Sequence, residues 1–182
     1  MSIPDSSRLF FRELSMDDYD DAASVLLDDE IMRKMSAYVS EALVNRWLER
    51  KLEQYRDYGY SHWHVSLKET GEFIGIIGIA PEIVEDAECT GLGYLVRREH
   101  QRKGYAYEGA HACLEWAFGE LNAEEIIAEI DESNHPSRNL AEKLGMDCIK
   151  IYPRFNGEAY VPHCLYCISA GDFCPKTCEK SY

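Results

Sequence analysis

The sequence predicts an α/β domain, on three observations. Apolar residues recur at helical spacing before residue 60, and the period shortens to that of strands from His62 onward. A helical stretch, Tyr105–Phe118, then separates two strand-like runs, Leu92–Val96 and Ile126–Ile130. A helix between two strands of one sheet is the crossover that parallel pairing requires.

Arg8–Leu14 alternates weakly and reads as a first strand. Ser15, with Asp18 three residues on, makes a short capping-box start for a helix with Tyr19, Ala22, Ala23, Leu26 and Leu27 on its apolar face. Ser40 opens a longer helix in which Val44, Trp47, Leu48, Leu52 and Tyr55 recur at i, i+3, i+4 spacing, ending before Gly59. Two helices therefore precede the main sheet. His62–Leu67, the turn Glu69–Glu72 and the unbroken apolar run Phe73–Ala80 read as a hairpin whose second strand is buried on both faces. Thr90–Val96 is a third strand. The helix Tyr105–Phe118 carries Ala106, Gly109, Ala110, Cys113 and Ala117 on one stripe, with Gly119 as a stop. Ile126–Ile130 is a strand, Ser137–Leu144 a short helix closed by Gly145, and Met146–Ile151 with Tyr160–Ser169 a final strand pair. After Phe173 neither period continues, so residues 1–173 read as one domain and 174–182 as a tail.

Composition limits the function. Over 182 residues, 19 basic against 33 acidic side chains leave a net charge of −14, and 46% hydrophobic residues suffice for one core, which excludes a disordered chain. A phosphate backbone repels so acidic a protein, whose one dense basic cluster is Arg97, Arg98, His100, Arg102 and Lys103, so no nucleic acid is expected as a partner. The longest apolar stretch, Phe73–Ala80, is far short of the ~20 residues of a membrane-spanning helix, and the first residues have no export-signal pattern. The expectation is a cytoplasmic protein with no membrane partner; monomer and homodimer are both left open. Seven cysteines, an odd number scattered through apolar contexts, fit reduced thiols. Cys164-x-x-Cys167 and Cys174-x-x-x-Cys178 suggest zinc, but a separation of three on a strand points to opposite faces, so no metal site is expected. His62 and His64 share a strand face flanking Trp63 and read as structural rather than pocket-lining.

The informative stretch runs from Gly93 to Gly109, a strand followed by a basic turn and a helix start. Within it, Gln101-Arg-Lys-Gly-Tyr-Ala106 puts a residue without Cβ just ahead of free helix amides, and Arg102 and Lys103 add positive charge, which makes an anion cradle. This Gln-x-x-Gly-x-Ala pattern resembles the pyrophosphate loop of the GNAT superfamily of acyl-CoA N-acetyltransferases, and Gly93-Tyr94 with Gly104-Tyr-Ala-Tyr-Glu108 looks like its RimJ/RimL-type branch. Downstream, Asn134-His-Pro-Ser137-Arg-Asn-Leu140-Ala-Glu-Lys143-Leu-Gly145-Met146 is similar to a second segment of that family, in the right order. The resemblance implies a mixed, mostly antiparallel sheet with a splayed parallel pair, and acetyl-CoA as cosubstrate. It places the pantetheine along Tyr94, Leu95 and Val96, the phosphates on Gln101, Arg102, Lys103, Gly104, Tyr105 and Ala106, and a polar contact to the cofactor arm on Asn134, with Ser137 beside it. Alternatively, Asn134 caps the short helix and Ser137 sits in its first turn, a reading that suits Ser137 equally well.

Two positions depart from the pattern. Sequences of this branch commonly carry Glu two residues before the Gly-Tyr of the third strand, where this chain has Gly91, and a tyrosine acid on the last helix would fall at Ala141. Glu88 is the nearest acid, although alternation sets it opposite Gly91 and Gly93 unless a bulge intervenes. Ser137 is the substitute acid, and Tyr166 or Cys167 on the last strand are weaker candidates. The resemblance thus implies acetyl transfer from acetyl-CoA to a primary amine, either a protein or peptide α-amino group or a small cationic amine, which the acidic surface would attract. The rival reading is a CoA-binding sensor or interaction module that kept the cradle and lost catalysis.

Overall fold

The computed structural model describes residues 2–34, 40–155 and 159–175. In chain order its elements are β1 (Leu9–Glu13), α1 (Tyr19–Leu26), α2 (Asp29–Lys34), α3 (Glu41–Tyr58), β2 (His62–Leu67), β3 (Phe73–Val84), β4 (Ala87–Val96), α4 (Tyr105–Gly119), β5 (Glu125–Asp131), α5 (His135–Lys143), β6 (Asp147–Phe155) and β7 (Tyr160–Ser169). The strands form one sheet in the order β1-β2-β3-β4-β5-β7-β6, with β4 and β5 parallel and the other neighbours antiparallel. This is the mixed α/β class, with its one parallel pair, that the sequence predicts.

Among the described residues, three helices rather than two precede β2. The additional one, α2, starts where Asp28 Oδ1 accepts the backbone N–H groups of Glu30 and Ile31, both at 3.0 Å, a side-chain cap that a six-residue helix hides from periodicity. Ahead of α1, a single 3₁₀ turn Met16–Asp18 is held by the Asp18 carboxylate, which accepts from Ser15 N–H at 2.7 Å and from both Arg12 η nitrogens.

Strand β3 continues past Ala80 to Val84, through Pro81, and turns into β4 at Glu85 and Asp86, both at positive φ. Pro81 is tolerated because β2 pairs with β3 only as far as Gly78, so beyond it the edge on that side has no strand to receive a donor. Likewise α5 starts two residues before Ser137, because Pro136 sits in a first turn whose amides need no helical acceptor.

The sheet separates two apolar clusters. One holds α4 and α5 against Leu9, Trp63, Ile77, Ile79, Leu92 and Tyr166; the other packs α1, α2 and α3 on Phe73 and Ile76. Phe173 closes the first, its ring 5.1 Å from those of His111 and Phe118. Of the expected tail after it, Cys174 and Pro175 are described.

The feature that positions the site is the β4–β5 pair. Strand β4 is in continuous register with β3 from Val84↔Ala87 to Gly75↔Val96, whereas its pairing with β5 is confined to Gly91↔Ile127. Beyond Gly91 the two strands diverge, and the β5-facing edge of β4 over Tyr94–Val96 has no strand partner among the described residues.

Candidate active site

Two cavities meet at this divergence. The first, ≈ 390 Å³, lies between the end of β4, the loop that follows and the starts of α4 and α5. Its wall includes Tyr94, Leu95 and Val96, then Gln101, Arg102, Gly104 and Ala106, and Asn134 and Ser137 from the other side. Two left-handed residues, Arg102 (φ 60°) and Gly104 (φ 83°), shape the loop. Glycine reaches that region without strain, so the chain turns into α4 with no Cβ in the way. The helix's first intrahelical bond joins Glu108 N–H to Gly104 C=O at 3.0 Å, so the amides of Tyr105 and Ala106 have no helical acceptor and point out of the positive end of the helix. Gln101 Nε2 donates to Val96 C=O at 2.9 Å and ties the loop to the strand end.

A buried carboxylate anchors this loop from behind. Glu108 accepts from Ser6 Oγ at 2.5 Å, Ser7 Oγ at 2.9 Å, Arg8 N–H at 2.8 Å and Arg8 Nε at 2.6 Å. Arg8 in turn donates to Lys103 C=O at 3.3 Å and covers the Tyr105 ring at 4.6 Å. Burial alone would raise the Glu108 pKa, but these donors outweigh it and hold the carboxyl at about 2.

The second cavity, ≈ 280 Å³, opens on the other face of β4 and shares Tyr94 and Leu95 with the first. Its polar lining is Arg50 and Lys51 of α3, His62 of β2, Glu82 of β3, Glu129 of β5 and Arg154 of β6. Gly91 and Gly93 are its floor. A Cβ at Gly91 would stand 2.8 Å from Glu82 Cγ, and one at Gly93 would stand 2.3 Å from His62 Nε2. The two glycines therefore leave the space through which side chains from neighbouring strands reach the divergence.

The groups differ in what engages them. Burial first, then the charges of Lys51 and Arg50, push His62 well below the usual histidine range, so its imidazole is neutral; its Nδ1 is enclosed without a partner among the described residues. Glu129 has both oxygens occupied, one by the Tyr152 hydroxyl and one by Arg154 Nε at 3.0 Å; burial raises its pKa and Arg154 opposes the rise. Among the described residues Glu82 forms its ion pair with Arg50, at 3.6 Å, and its side chain remains 36% exposed, open to a substrate. Lys51 is buried, donates to Gln54 Oε1 at 3.1 Å, and is pushed down to about 8, chiefly by that burial.

Most of the expected cofactor residues share the first cavity; Lys103 and Tyr105 do not line it. The Lys103 side chain is exposed, and Tyr105 packs against the core beneath Arg8. Asn134 both lines the cavity and caps α5, its Oδ1 accepting Ser137 N–H at 3.3 Å, which leaves the Nδ2 donors for a ligand. Ser137 lines the same wall, and its C=O accepts the Tyr94 hydroxyl at 2.9 Å. Glu88 lies in neither cavity. With no bulge in the β3–β4 register it pairs with Ile83 near the hairpin tip and borders a separate groove with Glu53 and Asp57. Tyr166 is fully buried, its hydroxyl held by Arg138 Nε at 3.1 Å and donating to Glu142 Oε1 at 2.9 Å, and Ala141 packs into the core. Cys164 is buried and Cys167 half-buried, on alternate faces of β7; Cys178 is outside the described residues. Elsewhere, Asp18, Asp21 and His64 come within 4.8 Å of one another, but the Arg12 guanidinium already occupies Asp18.

Sequence reasoning missed Glu82, Lys51, Arg50, Glu129 and Arg154, and took His62 as structural. The available signal was the Gly91-x-Gly93 pair inside a strand, a mark of close approach by another group.

Residues 8–147 match the family described as the acetyltransferase (GNAT) domain. The chain is 34% identical over 129 residues to the uncharacterized protein YkkB of Bacillus subtilis, covering 71% of this chain and 75% of that one. An acetyltransferase from Agrobacterium tumefaciens superposes with a TM-score of 0.76 at 27% identity, over 92% of this chain and 95% of that one. A ribosomal-protein-S5-alanine acetyltransferase from Vibrio fischeri shares the fold, with a TM-score of 0.75 at 18% identity over 96% and 100% of the two chains.

Proposed function

We propose, from the premise that the chain belongs to the GNAT acetyltransferase family and so is an acyl-CoA-dependent N-acetyltransferase using acetyl-CoA, that it acetylates a primary amine by direct attack in a ternary complex. The observation that carries this reading is the meeting of the two cavities across Tyr94 and Leu95. A thioester at the unpaired edge of β4 is open to an amine on the other side, and no covalent enzyme intermediate is needed.

The roles that the family resemblance implies each have a group in the structure that suits them. The amides at the start of α4 and the Arg102 charge suit the CoA pyrophosphate, the β4 edge over Tyr94–Val96 suits the pantetheine and the polarisation of the thioester carbonyl, and Asn134 Nδ2 suits a carbonyl of the cofactor arm. The amine nitrogen attacks the carbonyl carbon, the C–S bond breaks, and CoA departs as a thiol once protonated; Ser137 Oγ, on the wall of the same cavity, is the candidate to relay that proton, taking one from water as it gives one up. Glu82 takes the proton the amine loses, directly or through water. An α-amino group, with a reference pKa near ~8, asks less of such a base than a lysine amine near ~10.4. The Glu82 carboxylate over Gly91 favours this reading over a catalytically silent CoA sensor, whose ground is the vacant base and acid positions at Gly91 and Ala141. The reading retains one domain over residues 1–173, a cytoplasmic setting and no nucleic-acid partner; no helix among the described residues is long and apolar enough to cross a membrane. Amine-dependent release of free thiol from acetyl-CoA tests it. Acetyl-CoA binding with no thiol release for any amine would favour the sensor.

A further inference from the structure

We infer that the amine acceptor also carries a carboxylate, received by the buried ammonium of Lys51. The inference rests on the second cavity being the acceptor site. Although the chain bears −14 overall, this wall presents three cations, Arg50, Lys51 and Arg154, against two carboxylates, Glu82 and Glu129. Both carboxylates are matched, Glu82 by Arg50 at 3.6 Å and Glu129 by Arg154 at 3.0 Å. Lys51 is the cation left over.

Its surroundings hold it in place without neutralising it. Lys51 is 3% exposed, with Gln54 Oε1 at 3.1 Å and the Trp47 ring centroid at 5.1 Å, and it forms no ion pair among the described residues. Gln54 is itself fixed, since its Oε1 also accepts from Ser61 Oγ at 2.7 Å and its Nε2 donates to Pro81 C=O at 3.0 Å. Of the three ammonium donors, that network uses one. The neighbouring His62 is neutral, and the Glu82 carboxylate acts on Lys51 through its charge, opposing the effect of burial, without forming an ion pair with it among the described residues. A buried cation without an anion is costly, and a ligand carboxylate offsets that cost while gaining a charge-assisted hydrogen bond. The lowered pKa of Lys51 agrees with an unpaired site.

The same arrangement orients the acceptor, with its amine at Glu82 above Gly91 and its carboxylate on the α3 wall at Lys51. A cavity of ≈ 280 Å³ suits a molecule of amino-acid size. A polyamine would instead set a second ammonium against Lys51. The acidic surface as a whole attracts cations; the charges that face the acceptor select differently.

The test compares an L-amino acid, its carboxamide and its decarboxylated amine by thiol release at saturating acetyl-CoA. The amino acid should exceed the other two in kcat/KM by about 10- to 100-fold, and Lys51→Met should collapse that ratio toward one. Calorimetric titration of the same set into CoA-loaded protein reads the recognition without turnover. Equal affinities and rates for acid and carboxamide in the unmutated protein, or a ratio that survives Lys51→Met, would overturn the proposal, as would a stronger preference for an amine bearing a phosphate. Tight binding of the amino acid without thiol release would leave the carboxylate site standing and sink the transfer reading instead.

Discussion

The Cγ of Glu82 lies 2.8 Å from where a Cβ on Gly91 would stand, so a carboxylate borne by β3 occupies the space above a glycine of β4. The branch this chain resembles commonly presents an acid from the β4 position itself. Here the same space receives a carboxylate from the neighbouring strand, and the register Pro81↔Thr90 and Ala80↔Gly91 makes the substitution possible.

Glu82→Gln should therefore lower kcat by about 10²-fold or more, with the KM for acetyl-CoA little changed, because it removes a proton acceptor and keeps the shape. The relocated pair Gly91→Glu with Glu82→Ala should recover part of the lost rate, measured by thiol release. A Glu82→Gln enzyme with full activity would remove Glu82 from the mechanism.

Gly104→Glu should abolish acetyl-CoA binding while leaving a folded protein. At φ 83° a side chain costs about 1–2 kcal/mol, and the nearest atom to its Cβ, an Arg8 guanidinium nitrogen at 3.4 Å, leaves room for it. The added carboxylate would face the phosphates. Calorimetry on the variant, with circular dichroism to establish folding, checks this; retained micromolar affinity would place the cofactor elsewhere.

Asn134→Ala and Ser137→Ala should separate. The first removes both the α5 cap, about 1 kcal/mol, and the Nδ2 donors, so stability and acetyl-CoA affinity fall together. Ser137→Ala keeps the backbone N–H and C=O that bond Asn134 and Tyr94, so only reactions that use its Oγ should slow, seen as lower kcat at unchanged acetyl-CoA KM. Indistinguishable kinetics for the two variants would mean that neither does more than shape α5.

Stability should fall in acid through Glu108. Its folded pKa of about 2 lies below the ordinary 4.5, so the carboxylate's contribution is complete above about pH 5 and is lost as pH drops toward 2. With Arg8 half exposed to screening, that contribution is on the order of 2 kcal/mol. Denaturant titrations between pH 7 and 3 should show Glu108→Gln less stable at neutral pH and converging with the unmutated protein in acid. Parallel curves at all pH values would mean that the carboxylate is not ionically held.

The sequence by itself determined most of the elements and the segments proposed to cradle the cofactor. The helical period of α3, the doubly buried run of β3 and the crossover through α4 are local patterns, readable because side-chain periodicity reports which face is buried. The cradle is legible for a similar reason: Gln101 to Ala106 and Asn134 to Ser137 are short contiguous segments whose chemistry is backbone chemistry at helix starts. Only the tertiary structure decided the second cavity. Glu82 above Gly91, His62 against Gly93 and Lys51 within reach of both come from three elements, and their meeting depends on strand register and on how α3 lies across the sheet. A pair of glycines inside a strand announced that something approaches β4 closely, but the identity of that something is a property of packing. Net charge is less informative for the same reason: −14 is a sum over the whole surface, whereas a ligand in the cavity would meet the few groups that burial and pairing leave facing it.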